Sequence, residues 1–169
     1  MGLRYRWSQL ELCGLPYVGL SSFPRLRALK IYGIEPSYTV PALDASLLKT
    51  VRLEEWFPLQ SVPSHITHLV LSTLHTEDLP TLLSFPNLVE LHFSFKYFTQ
   101  DDMPQGDSCL DLLTSQPSLC RLSIALVGDD HNAIYQKLSS PDFLPNLEHL
   151  TVTYLDVEFY VKAVKMIRS

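Results

Sequence analysis

The chain has 169 residues, 46% hydrophobic and 18% charged, with a formal net charge of -5. That is enough material for one globular unit with a core of its own. The acidic balance and the dispersed thirteen Lys and Arg leave no basic footprint for nucleic acid, and no apolar run approaches the roughly 18 residues needed to span a bilayer.

Taken in chain order, one frame recurs, Leu-x-x-Leu-x-apolar: WSQLEL from Trp7, LRALKI from Leu26, LKTVRL from Leu48, ITHLVL from Ile66, LVELHF from Leu88, LCRLSI from Leu119 and LEHLTV from Leu147. The starts are 19, 22, 18, 22, 31 and 28 residues apart, with insertions in the last two steps. In each copy the fourth and sixth positions are apolar and the third and fifth mostly polar, which predicts a short strand with one buried face. Leu29 and Ile31 are expected inward and Lys30 outward.

Between strands, Thr76-Glu77-Asp78 ahead of LPTLLSF and Asp107-Ser108 ahead of CLDLL place capping-type residues before apolar runs, so short helices or turns are expected there. Pro24, Pro86, Pro117 and Pro145 each stand two residues before the first leucine of a copy, where they stop a helix. The insert KYFTQDDMPQGDS reads as a loop. In the tail DVEFYVKAVKMIRS, the spacing of Val157, Val161, Val164 and Ile167 predicts a helix with one buried stripe, able to act as an end cap alongside Trp7 at the other end.

A strand plus a short helix cannot bury its own apolar side, whereas stacked copies share a continuous core. The expectation is therefore a single α/β domain over 1–169, a solenoid of about seven irregular repeats with a curved parallel sheet on its concave side and short helices or turns on its convex side. At these residues the chain resembles a leucine-rich-repeat protein. More narrowly, FPRLRALKI, FPNLVELHF, LPNLEHLTV and the tail VKAVKMIRS are similar to the repeat arrays of fungal F-box-like proteins. The resemblance implies substrate recognition in a ubiquitin ligase receptor, with a Skp-type adaptor bound only through an F-box in a longer chain, since none stands in this sequence. The ninth repeat position departs from the usual Asn or Cys, reading Leu15, Ile34, Leu74, Val127 and Leu155, so apolar stacking is expected to replace the usual side-chain ladder.

Parallel stacking sorts the outward residues into rows about 4.8 Å apart. The third-position row reads Gln9, Ala28, Thr50, His68, Glu90, Arg121, His149; the fifth reads Glu11, Lys30, Arg52, Val70, His92, Ser123, Thr151; the seventh begins Cys13, Tyr32, Glu54. Two patches result: Lys30, Tyr32 and Arg52; and His68, Glu90, His92, Arg121 and His149. Both are read as a surface for a protein partner, Tyr and Arg being common binding hot spots, against the plainer reading of a solvated polar face.

No chemistry of another kind stands out. His65 and His68 lie three apart on a strand, on opposite faces, and do not chelate; His68 and His92 are diagonal, about 8 Å apart beside Glu90, a geometry open to a weak zinc site. Asp101, Asp102, Asp107 and Asp129-Asp130-His131 lack the spacing of a calcium loop. Cys13, Cys109 and Cys120 lack zinc-site spacing, and with no glycosylation sequon they point to a reducing compartment, cytoplasmic or nuclear. There is no nucleophile elbow and no phosphate-cradling glycine loop. The reading is a protein-binding module that is no enzyme and uses no metal or cofactor; a truncated structural array, and less so a small hydrolase or metal-binding protein, stand as alternatives.

Overall fold

The computed structural model describes residues 8–13, 23–32, 44–53, 59–74, 78–95, 110–111, 113–127, 136–138, 140, 142–155 and 161–167. Eight strands follow in chain order: β1 (Gln9–Cys13), β2 (Ala28–Tyr32), β3 (Thr50–Leu53), β4 (His68–Leu71), β5 (Glu90–Phe95), β6 (Arg121–Val127), β7 (His149–Leu155) and β8 (Val161–Ile167). They form one sheet in that same order. Strands β1 to β7 pair parallel, each with its sequence neighbours, and β8 pairs antiparallel with β7. This is an α/β arrangement with little helix.

Among the described residues, the second to seventh copies enter the sheet through the same turn. The amide of the first leucine-type residue bonds back three residues: Leu26 to Phe23, Leu48 to Ala45, Ile66 to Pro63, Leu88 to Phe85, Leu119 to Gln116 and Leu147 to Leu144, over 2.9–3.4 Å. Pro24, Pro86, Pro117 and Pro145 occupy the second position of these turns, where a fixed φ near −65° suits the geometry. The prolines therefore shape the strand approach as well as ending what precedes them. Leu144 carries a φ of 46° directly before Pro145, a left-handed conformation costing about 1 kcal/mol, offset by a side chain only 2% exposed.

Just past the turn, one carbonyl of each copy accepts two amides of the next. Ser8 O receives Arg27 and Ala28, Arg27 O receives Lys49 and Thr50, Lys49 O receives Thr67 and His68, and the pattern continues through Thr67, Val89 and Cys120. The copies are thus in register before the ladder begins. Behind the sheet, Leu29, Val51, Leu69, Leu91, Leu122 and Leu150 line up in register, as do Ile31, Leu53, Leu71, Phe93, Ile124 and Val152. All belong to one buried cluster, against which Leu10 and Leu12 of β1 are partly buried. Leu74, one of the apolar ninth-position residues, joins it; Leu15 and Ile34 lie outside the described residues.

The helical pieces described between the strands are short. Leu59–Ser61 form a 3-10 turn, and Leu79–Leu82 form a four-residue helix, α1, with Pro80 in its first turn. Asp78 is the N-cap of α1 but makes no side-chain capping hydrogen bond, so this expected cap does not form. Leu110, Asp111 and Leu113 are helical as expected, with Leu110 and Leu113 buried, and Gln136–Leu138 make a further helical turn. Lys137 Nζ meets Asp111 Oδ1 at 2.8 Å and links successive connections.

The tail departs from expectation. Residues 161–167 are a strand, β8, and not a helix; Val157, Trp7 and the insert at 96–108 lie outside the described residues. Its period of three and four is real, but Val161, Val164 and Ile167 are β-branched, a class that favours strands. Beside β7 an open edge offers unpaired N–H and C=O groups. Antiparallel pairing from His149↔Ile167 to Leu155↔Val161 satisfies that edge, which a helix would leave open. Among the described residues no helix is long and apolar enough to cross a membrane.

Candidate functional site

The outward rows assemble as the repeat frame predicts. Gln9, Ala28, Thr50, His68, Glu90, Arg121 and His149 are consecutive register partners across seven strands, and Glu11, Lys30, Arg52, Val70, His92, Ser123 and Thr151 form the next row. Cys13 pairs with Tyr32 in the third row; Glu54 lies outside the described residues. This alignment follows from alternation: with the leucine positions buried, the intervening residues face solvent.

Within the larger patch, three side chains touch. Arg121 Nε donates to Glu90 Oε2 at 2.8 Å, and an Arg121 terminal nitrogen lies 3.4 Å from His68 Nε2. His68 Nε2 is itself 3.9 Å from the same Glu90 oxygen. Because a guanidinium only donates, the tautomer of His68 that matches this contact accepts at Nε2 and carries its proton on Nδ1. That places an N–H opposite Thr67 Oγ1 at 2.7 Å, and the Thr67 hydroxyl points on to the Lys49 carbonyl at 3.4 Å. One chain of polar contacts thus runs from β6 through β5 and β4 to the start of β3. Thr67 was not among the residues expected to matter, since it sits in the turn-to-strand step outside the alternating rows.

His92 neighbours this cluster without a direct contact to it. It is solvent-exposed at the ring surface, yet the surrounding protein removes part of its hydration, and its pKa falls below the ordinary 6.5 first through this burial, next through the Arg52 charge; Glu90 acts in the opposite sense. Arg52 is two strands away, so its field joins the two patches across Val70. His149 completes the row beside Arg121 and is exposed.

In the smaller patch, the Lys30 ammonium lies 4.2 Å from the Tyr32 ring centre and 3.8 Å from Glu11 Oε1. A cation over an aromatic face is attracted by the ring quadrupole. Glu11, which the sequence reading left outside the site, is therefore a neighbour of it. Arg52 is the register partner of Lys30.

Among the described residues no group of three or more His, Cys, Asp or Glu side chains is arranged to hold a metal ion. The His68, Glu90, His92 geometry accordingly gives no metal centre; Glu90 is turned to Arg121 instead. Cys120 is part-buried, its thiol directed at the Ser118 carbonyl at 3.4 Å, and Cys13 is exposed. No protein-family model, curated protein or solved structure matches the chain.

Proposed function

We propose that the chain is a leucine-rich-repeat solenoid that binds a protein partner through the outward, concave face of its sheet. The observation that carries this reading is the alignment of dissimilar polar and aromatic side chains in straight rows over an invariant apolar seam. Such a face changes its chemistry residue by residue without disturbing the core. Lys30, Tyr32, Arg52, His68, Glu90, His92, Arg121 and His149 are the contact residues of the proposal, with Arg121 at the β6 end of the polar chain and Tyr32 as the aromatic anchor.

The resemblance to F-box-like proteins extends the reading to substrate recruitment for a ubiquitin ligase in the cytoplasm or nucleus. In that role the array selects the substrate, and a Skp-type adaptor is engaged by an F-box in a longer chain. No enzymatic step, metal or cofactor enters it. The test is affinity capture from cell extract with the parent chain and with Arg52→Glu and Arg121→Glu. Loss of one captured protein in these variants, with circular dichroism unchanged, supports the face as a binding surface. Identical captured sets reject it in favour of a structural array whose rows are only solvated, a reading favoured by the pairing of Arg121 with Glu90 within the row.

A further inference from the structure

We propose that the starts of β2 and β3 form a docking patch for an acidic, extended segment of the partner protein, seated across Arg27, Lys30, Lys49 and Arg52. This rests on the protein-binding reading and specifies the chemistry of the partner.

The patch arises from a step in the alternation. Leu26 and Leu29 are both buried although three residues apart, so the two residues between them turn to solvent together. Arg27 is exposed and Ala28 half-buried. Their amides converge on Ser8 O at 2.8 and 3.1 Å. The next copy repeats this with Leu48 and Val51 buried, Lys49 and Thr50 between them, and both amides on Arg27 O at 2.9 and 3.0 Å. Arg27 and Lys49 therefore stand side by side, about 4.8 Å apart at the backbone, and the register pair Lys30 and Arg52 follows about 10 Å along the strands.

The same two positions in the other copies hold Ser8 and Glu11, Thr67 and Val70, Val89 and His92, Cys120 and Ser123, and Glu148 and Thr151. None is Lys or Arg. In a chain of net charge -5 the positive residues at these positions are confined to two adjacent strands, a concentration that linear order conceals. Among the described residues neither Arg27 nor Lys49 forms an ion pair. Lys30 meets Glu11 only at 3.8 Å, with that carboxylate 64% exposed, so an incoming acid displaces it at little cost. Arg121 is already held by Glu90 at 2.8 Å, which excludes β6 from the patch.

The fit is to carboxylates three residues apart in a segment extended as a polyproline II helix, whose three-residue turn returns both to one face about 9 Å apart, close to the spacing of about 10 Å between the two cation pairs. Nucleic acid fits less well. Its affinity comes from many phosphate contacts, whereas four cations on two strands offer few, and one face of the Tyr32 ring is taken by the Lys30 ammonium, which competes with base stacking there.

The probe is a fluorescein-labelled peptide with glutamate at every third position and proline between, titrated by anisotropy against the parent, an Arg27→Glu/Lys49→Glu double variant and Lys137→Glu, whose side chain lies on the connections and pairs with Asp111. Oligothymidylate of equal charge is measured in parallel, and sedimentation reports self-association. The expected result is peptide binding that weakens with added salt, falls about tenfold or more in the double variant and stays within about twofold in Lys137→Glu. Equal binding by the parent and the double variant overturns the proposal. So does tighter binding of oligothymidylate, or self-association that the double variant removes, which would assign the patch to a second copy. If Arg121→Glu loses the captured partner while the double variant retains it, the binding face stands and the acidic segment does not.

Discussion

Arg121 and Glu90 are register partners on neighbouring parallel strands, and their side chains meet at 2.8 Å on the solvent side of the sheet. Both are well exposed, at 44% and 38%, so water and salt screen the pair. Its worth to folding is about 0.5 kcal/mol. A double-mutant cycle with Arg121→Ala and Glu90→Ala, followed by urea denaturation, is expected to return a coupling of that size. A coupling of several kcal/mol would mean that the pair holds the sheet together and is not simply displayed on it.

Beneath the pair, Leu91 is fully buried between its register partners Leu69 and Leu122. Leu91→Asp places a charge in the shared seam with no partner and should cost about 4 kcal/mol, enough to unfold a marginal array. Leu91→Ala, which only opens a cavity, should cost about 3 kcal/mol. Thermal melts of the two variants check this order; an aspartate variant that melts with the parent would place Leu91 outside the core.

Gln116 replaces, at the head of its turn, the Phe of Phe23 and Phe85. It is 4% exposed, and its Nε2 donates to the Leu82 carbonyl at 2.8 Å, while its Oε1 has no partner among the described residues. Leu82 O also receives the Phe85 amide, so losing Gln116 does not strand it. Gln116→Leu should therefore stay within about 1 kcal/mol of the parent, since it removes a bond and an unsatisfied oxygen together. Gln116→Glu buries a charge in the same place and should be the most destabilising. Chemical denaturation of the two variants gives the comparison, and the reverse order would show that the Leu82 contact dominates.

His92 has a pKa below the ordinary 6.5. A histidine depressed in the folded state binds fewer protons there than in the unfolded chain, so its contribution is fully present above 6.5 and is lost as the pH falls from there towards the folded value. The ring should titrate with a midpoint below 6.5 by NMR. Arg52→Gln should move that midpoint up and Glu90→Gln should move it down. Unchanged midpoints in both variants would leave desolvation as the only cause.

The β8 strand covers the edge of β7 over seven register pairs. Removing residues 156–169 exposes the β7 backbone groups, and bare edges pair with other chains. Size-exclusion chromatography should show association of the truncated chain; a monomer of unchanged stability would mean that β8 contributes no protection.

The leucine frame by itself determined the seven parallel strands, their order, the buried seam and the membership of each outward row. Alternation decides which side of a strand a residue faces, and the repeated frame brings like positions together although the steps between copies run from 18 to 31 residues, so the rows follow from the frame alone. The tail shows the limit of local pattern, because Val161, Val164 and Ile167 satisfy a helical spacing and a strand propensity equally, and only the open edge of β7 selects between them. Tertiary structure also decided which side chains within a row pair off: Glu90 turns to Arg121 and not towards His92, a choice of rotamer and distance that residue order does not contain. It likewise brought Arg27 beside Lys49 from 22 positions away along the chain, because the turn before each strand admits two solvent-facing residues in succession where strict alternation allows one.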